Sequence, residues 1–344
     1  MTEARSIEIA RSGGPGVMKV RRGPVPVPGP GQVLIDVAYA GVNFADVVMR
    51  QGFYEAAPKP PFVPGFEVAG TVTAIGEGVD EIRLQDRVLG VTKFGGYTSH
   101  LCLGAAQVRA VPEGIGLAQA AALPAVYGTA WIALQDIARV RPGETLLCHA
   151  IAGGVGTAAL QIGKHLGLRV IGTASTDDKL AFAKGQGLDV GINYAREDFL
   201  PRVMSETGGL GVDVCLDSVG GRVLDRSFRS LAPGGRLVLV GAADLWPSSP
   251  LGWLRAGYEA VTMRRFTVSE LVRENRSVGG LQLLRLWDRL GDRGGALDEL
   301  VRLLGTGVVR PVIDREFPLE AAGDAHEYLE ARRTKGKVVL RVAG

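Results

Sequence analysis

Three cysteines in 344 residues, Cys102, Cys148 and Cys215, with no C-x-x-C spacing, leave neither a disulfide framework nor a cysteine zinc cluster to organise the chain. No apolar run approaches the ~18 residues needed to span a bilayer. The opening MTEARSIEIARSGGPG has no apolar leader core. A reducing cytoplasm and no stable membrane insertion are the expectation. The net charge is only +3, and no basic stripe with interleaved aromatics occurs, so nucleic acid is excluded as a partner class. The sequence is otherwise that of an ordinary globular protein, 46% hydrophobic and 22% charged, and its length calls for two domains.

The texture changes along the chain. Up to residue 123, short alternating runs such as Val33-Leu34-Ile35-Asp36-Val37 are punctuated by Pro26-Val27-Pro28-Gly29-Pro30-Gly31 and Gly76-Glu77-Gly78, which predicts a compact β-rich domain. From residue 124, strands at 145–151, 169–172, 191–194, 212–217 and 236–241 alternate with helical stretches. That order predicts an α/β domain, a doubly wound parallel sheet covered on both faces. A further strand at 277–281 would lie at a sheet edge and pair with a twofold mate, giving a homodimer. The alternation then stops, and residues 283–344 are expected to return to the first domain, leaving 124–282 as the central one.

The central domain is organised around 145–175, TLLCHAIAGGVGTAALQIGKHLGLRVIGTAS. An apolar run enters a Gly-rich turn, a helix-period segment follows, and a second apolar run closes the unit. This strand–turn–helix–strand pattern places a dinucleotide pyrophosphate on a helix N-terminus. The motif fits A-x-x-G-x-x-G over Ala150, Gly153 and Gly156. Gly153, Gly154 and Val155 are the expected pyrophosphate cradle, and Gly156 lets the helix approach the strand. Where an NAD site places a carboxylate at the end of the second strand, this chain reads Gly172-Thr173-Ala174-Ser175. Ser175 and Lys179 can instead donate to a 2′-phosphate, so NADPH is the expected cofactor. Asp177 and Asp178 beside them weaken the charge argument. The loops 218–220 and 241–243, beyond the carboxyl ends of two strands, also face the ligand side of such a sheet.

Several stretches together carry a resemblance: Gly41-Val42-Asn43-Phe44-Ala45-Asp46 with Arg50-Gln51-Gly52-Phe53-Tyr54; Pro64-Gly65-Phe66-Glu67-Val68-Ala69-Gly70; Ala122-Leu123-Pro124; Thr129-Ala130-Trp131; the turn at His149 to Gly156; Asp217-Ser218-Val219-Gly220-Gly221; and Gly336-Lys337-Val338-Val339-Leu340. Spread over nearly the whole length, they resemble the zinc-free quinone oxidoreductases of the medium-chain dehydrogenase/reductase superfamily, including the vesicle amine transport protein 1-like branch. The resemblance implies a GroES-like catalytic domain built from both chain ends, a central Rossmann domain and an active cleft between them. It also implies that Asn43, Asp46 and Tyr54 line that cleft. Thr129, Gly241 and Ala242 would face the nicotinamide, together with Asn43, and Tyr194 would join Ser175 and Lys179 at the adenosine end. Each of the three cleft residues has a plainer reading: Asn43 caps a helix beginning at Phe44, Asp46 is a buried helix partner, and Tyr54 is a packing aromatic.

Zinc-dependent relatives resemble G-V-C and G-H-E where this chain has Gly41-Val42-Asn43 and Gly65-Phe66-Glu67. Glu67 alone cannot hold a catalytic zinc, which takes three protein ligands. No metal is therefore expected. A quinone, enone or enal accepts hydride without a Lewis acid because charge spreads over the conjugated system, and such small molecules are the expected substrates. Two other readings stay open: an enoyl-thioester reductase, and an NADPH-binding interaction protein with little turnover. Residues 243–265, with Trp246, Pro247, Trp253 and Tyr258, read as a substrate-pocket wall or a dimer helix. Arg264-Arg265 and Arg332-Arg333 read as a solvated face.

Overall fold

A computed structural model describes residues 3–245, 257–258, 261–290 and 295–342. In chain order the first strands are β1 (Glu3–Ile9), β2 (Met18–Pro24), β3 (Gln32–Val42), β4 (Glu67–Ile75), β5 (Arg87–Val91), β6 (His100–Gly104) and β7 (Val108–Ala110). They are followed by β8 (Thr145–Cys148), β9 (Arg169–Ala174), β10 (Val190–Asn193), β11 (Val212–Asp217), β12 (Leu231–Leu239) and β13 (Ser277–Gly280), and the chain ends with β14 (Ile313–Pro318) and β15 (Lys337–Arg341). The chain divides into two compact units, Met1–Gly128 with Leu284–Gly344, and Thr129–Leu283.

The first unit holds a seven-stranded sheet in the order β14-β15-β3-β4-β5-β7, with β6 also pairing β3. Its strands come from both chain ends, because β15 runs antiparallel to β3, which runs antiparallel to β4. Alternation explains the packing: Val33, Ile35 and Val37 all point to one face of β3 and are fully buried with Val68, Val72, Val338 and Leu340. Each such side chain contributes about 1.5–3 kcal/mol relative to exposure.

The second unit is a six-stranded parallel sheet, ordered β10-β9-β8-β11-β12-β13. Numbered from β8, the order is 3-2-1-4-5-6, the doubly wound arrangement with its switch point between β8 and β11. Leu146 and Leu147 of β8 face opposite sides and are both fully buried, as expected of a strand covered on two faces.

Strand limits differ from the sequence expectation for local reasons. β8 stops at Cys148 because the chain turns at Ala150, whose φ is +51°. β9 continues to Ala174, which keeps the Thr173 hydroxyl inside the unit. β12 begins at Leu231, before a Pro-Gly-Gly segment that reads as a turn; the glycines are absorbed by a register shift against β11, and Gly234 has φ +82°. Of the 243–265 segment, residues 246–256 and 259–260 lie outside the described residues, and Tyr258 is exposed. Arg264 is not solvated: it pairs with Asp225 and Glu270 and stacks over Phe228, 4.5 Å from the ring centroid.

Candidate active site

Strand register places three polar side chains of the first unit together. β15 pairs with β3 so that Val338 faces Val42, which sets Lys337 one step on, opposite Asn43. β4 pairs with β3 with Val68 opposite Ala40, which sets Glu67 opposite Gly41. A Cβ on Gly41 would lie 2.3 Å from Glu67 Oε1, so only glycine lets the carboxylate lie across β3. Lys337 Nζ then donates to Glu67 Oε1 at 2.7 Å and to Asn43 Oδ1 at 2.5 Å. Asn43 Nδ2 donates to the same Glu67 Oε1 at 2.9 Å, and Glu67 Oε2 accepts the Ala125 N–H at 2.7 Å. Lys337 and Glu67 are buried and Asn43 is half-buried. An ammonium only donates and a carboxylate only accepts, so neighbours of opposite sign fix which end of the Asn43 amide is oxygen.

Asp46 lies beneath this ring. Asn43 precedes the helix Phe44–Gln51, and its N–H donates to Asp46 Oδ2 at 2.9 Å, half of a capping box. Asp46 Oδ1 accepts the Gly65 N–H at 3.1 Å, and Oδ2 also accepts the Tyr97 hydroxyl at 3.2 Å. The Tyr97 oxygen meets His326 Nε2 at 3.2 Å. Full burial pushes the Asp46 carboxyl up to about 7, against the pull of the Asn43 N–H, the Lys337 charge and the Gly65 N–H. Burial, followed by the Arg50 charge, pushes His326 down to about 3, so its imidazole is neutral. Tyr54 follows Gly52, which turns the chain at φ +87°, and packs against the cluster of Ile9, Val17, Met49 and Phe62. The structure thus joins Asn43 to Asp46 and seats Tyr54 in a separate apolar cluster.

The second unit presents its predicted residues at the carboxyl ends of its strands. Gly153 caps the helix Gly154–His165, whose first turn, including Val155, holds no acidic side chain. A Cβ on Gly156 would meet Ala150 O at 2.3 Å, so the tight cradle requires glycine there. Backbone amides at a helix start, without side-chain cover or negative charge, fit a pyrophosphate. Ser175 follows β9. Lys179 sits in the first turn of the helix Asp177–Gly185, its N–H on Thr176 Oγ1, and Tyr194 is half exposed, its N–H on Ala174 O. Asp177 is paired with Arg196 at 2.6 Å and accepts Asn193 Nδ2 at 2.6 Å, so its charge is compensated. Gly241 and Ala242 follow β12 beside the loop after β11, where the Ala243 N–H reaches Ser218 O. Thr129 is half-buried in the helix Pro124–Trp131.

Sequence reasoning gave no role to Lys337 and missed two further networks. Tyr97–His326 is one. In the other, buried Asp217 accepts the Val219 and Gly220 N–H groups at 2.8 and 3.0 Å and the Ser227 hydroxyl at 2.9 Å. Ser227 in turn meets His149 Nε2 at 3.0 Å, and His149 Nδ1 meets Thr173 Oγ1 at 2.9 Å. This chain pins the loops of β8, β9 and β11 together. The available signal was a set of polar residues, Lys337 and Glu67 among them, at the mouths of otherwise apolar strands.

Residues 29–132 match the alcohol dehydrogenase GroES-like domain family, and residues 186–340 match the zinc-binding dehydrogenase family. The chain belongs to the medium-chain dehydrogenase/reductase superfamily. It is 33% identical over 339 residues to the mouse synaptic vesicle membrane protein VAT-1 homolog, covering 98% of this chain and 83% of that protein. The Escherichia coli quinone oxidoreductase solved with NADPH superposes with a TM-score of 0.85 at 31% identity, over 98% of this chain and all of that one. The CurK enoyl reductase superposes with a TM-score of 0.85 at 27% identity, over 99% and 100% of the two chains. Among the described residues, no group of three or more His, Cys, Asp or Glu side chains is arranged to hold a metal ion, and no helix is long and apolar enough to cross a membrane.

The raised Asp46 pKa has a defined sign. The folded state holds the proton more tightly than the unfolded chain, so this stabilisation is full below about pH 4 and is lost as pH rises to about 7. The Asp46 carboxyl carbon is expected to titrate with a midpoint near 7 by NMR; a midpoint below about 5 contradicts the burial argument.

Proposed function

We propose that the protein is an NADPH-dependent, metal-independent reductase of quinones or other conjugated carbonyls. The observation that carries this reading is the closed ring of Lys337, Asn43 and Glu67. Both oxygens of Glu67 are committed to protein donors, and a fixed ammonium supplies the cation beside Asn43. NADPH supplies the hydride, and the balance is acceptor plus NADPH plus a proton giving the dihydro-acceptor and NADP⁺.

Asn43 donates a hydrogen bond to the acceptor oxygen as negative charge gathers there, a donor already oriented before reaction. Such a donor suffices for a conjugated acceptor, which spreads the charge, where a simple ketone calls for a Lewis acid. Asp46 holds Asn43 through its backbone N–H. Tyr54 is assigned to the acceptor, as a proton donor or a stacking ring, and Thr129, Gly241 and Ala242 to the nicotinamide, all on the family resemblance. Gly153, Gly154 and Val155 take the pyrophosphate through their amides. Ser175 and Lys179 take the 2′-phosphate, with Tyr194 at the adenine, and the pairing of Asp177 with Arg196 partly offsets one of the two carboxylates at that end. Likeness to an enoyl reductase keeps enoyl thioesters among the acceptors to test. Pairing of the β13 edge with a twofold mate belongs to the same reading, and a monomeric mass in solution removes it.

The test is oxidation of NADPH and of NADH against quinones, enals and enoyl thioesters, with and without a chelator. Chelator-resistant turnover that prefers NADPH is expected. Lys179→Ala should raise KM for NADPH roughly tenfold and leave NADH nearly unchanged, the loss of one charge-assisted contact. Asn43→Ala should lower kcat by about 100-fold. Saturable NADPH binding without turnover on any acceptor would instead favour an interaction protein.

A further inference from the structure

The proposed chemistry assigns Asn43 a role and leaves the buried charges around it unexplained. Burying an ammonium and a carboxylate is costly, and replacing such a pair by apolar residues is often neutral or stabilising. The pair does act on Asn43: positive charge lies 2.5 Å from the amide oxygen and negative charge 2.9 Å from the amide nitrogen. The ammonium at the amide oxygen draws electrons toward it and makes the N–H groups stronger donors, an effect that low local dielectric enlarges, while the carboxylate, accepting one N–H, fixes the orientation of the amide. One Nδ2 hydrogen is used on Glu67. The other lies outside the ring.

We propose that Lys337, with Glu67 as its counter-ion, is a positioning residue that holds and polarises the Asn43 amide as the hydrogen-bond donor to the reduced acceptor's oxygen. The inference rests on the reductase reading for its substrate, while its physical content, an amide fixed by two charges, is measurable without substrate. It also assigns a selectivity. A polarised donor contributes most where charge is localised on one oxygen, so enals depend on Lys337 more than quinones do.

The test uses the full-length protein and the variants Lys337→Met, Lys337→Arg, Glu67→Gln with Lys337→Met, and Asn43→Ala with and without Lys337→Met. Lys337→Met should lower kcat by roughly 10- to 100-fold. The Kd for NADPH, read by fluorescence titration, should stay within about twofold. Lys337→Arg should recover part of kcat. In the Asn43→Ala background Lys337→Met should change kcat less than about twofold, because its effect passes through the amide. The neutral Glu67→Gln, Lys337→Met pair leaves no buried charge unpaired; it should fold and show the loss seen with Lys337→Met.

Independently of turnover, the two Asn43 side-chain amide protons should be well separated in a ¹⁵N correlation spectrum of the wild type. They should move together in the neutral double variant. An unchanged Asn43 amide signal there, a Lys337→Met enzyme with wild-type kcat, or a Lys337→Met loss that adds in full to Asn43→Ala overturns the proposal. A wild type that binds NADPH yet reduces no acceptor overturns the reductase reading instead, and the amide spectrum still decides whether the charges position Asn43.

Discussion

The arrangement around Asn43 depends on one electrostatic constraint, the ion pair between Glu67 and Lys337. These two residues come from opposite ends of the chain and meet across β3, and each is nearly or completely removed from solvent. Either charge left alone there is costly. Together they compensate each other, the Ala125 N–H satisfies the second carboxylate oxygen, and Asn43 closes the ring. The pair forms where the register of β15 on β3 brings Lys337 opposite Asn43, and the Glu67 carboxylate occupies the space a side chain at Gly41 would need. The geometry of Asn43 follows from it.

Beneath the ring, polarity is graded. Asp46 takes two backbone N–H groups and a phenol, and its environment still raises its proton affinity. His326, at the end of the same chain of contacts, is held neutral. The second unit uses a comparable device without a net ion pair. Asp217 binds two loop amides, and Ser227, His149 and Thr173 carry the contact across to β8 and β9. In both units buried polar groups hold the chain where it leaves regular structure, near the residues assigned to chemistry.

The parts legible in the sequence are those whose signal is local. Apolar runs, the Gly-rich turn and the alternation after residue 124 predicted the parallel sheet, and the glycine pattern anticipated the tight approach at Gly156. Strand ends were less legible, because Gly234 and Gly235 signal a turn and are absorbed within β12 by a register shift. The Lys337–Glu67 contact spans 270 positions and Tyr97–His326 spans 229. No periodicity encodes such pairs; only the strand order of the folded sheet brings them together. Asn43 and Asp46 were singled out through family resemblance, whereas the charges beside Asn43 were not.

The most direct test of the electrostatic constraint is a double-mutant cycle on stability with Glu67→Gln, Lys337→Met and the two combined, read from denaturant midpoints. Each single change leaves one buried charge unpaired and should cost about 3–5 kcal/mol, while the combined change should cost much less than the sum. Costs that add to within about 0.5 kcal/mol would show that the two charges do not depend on each other and would contradict the account.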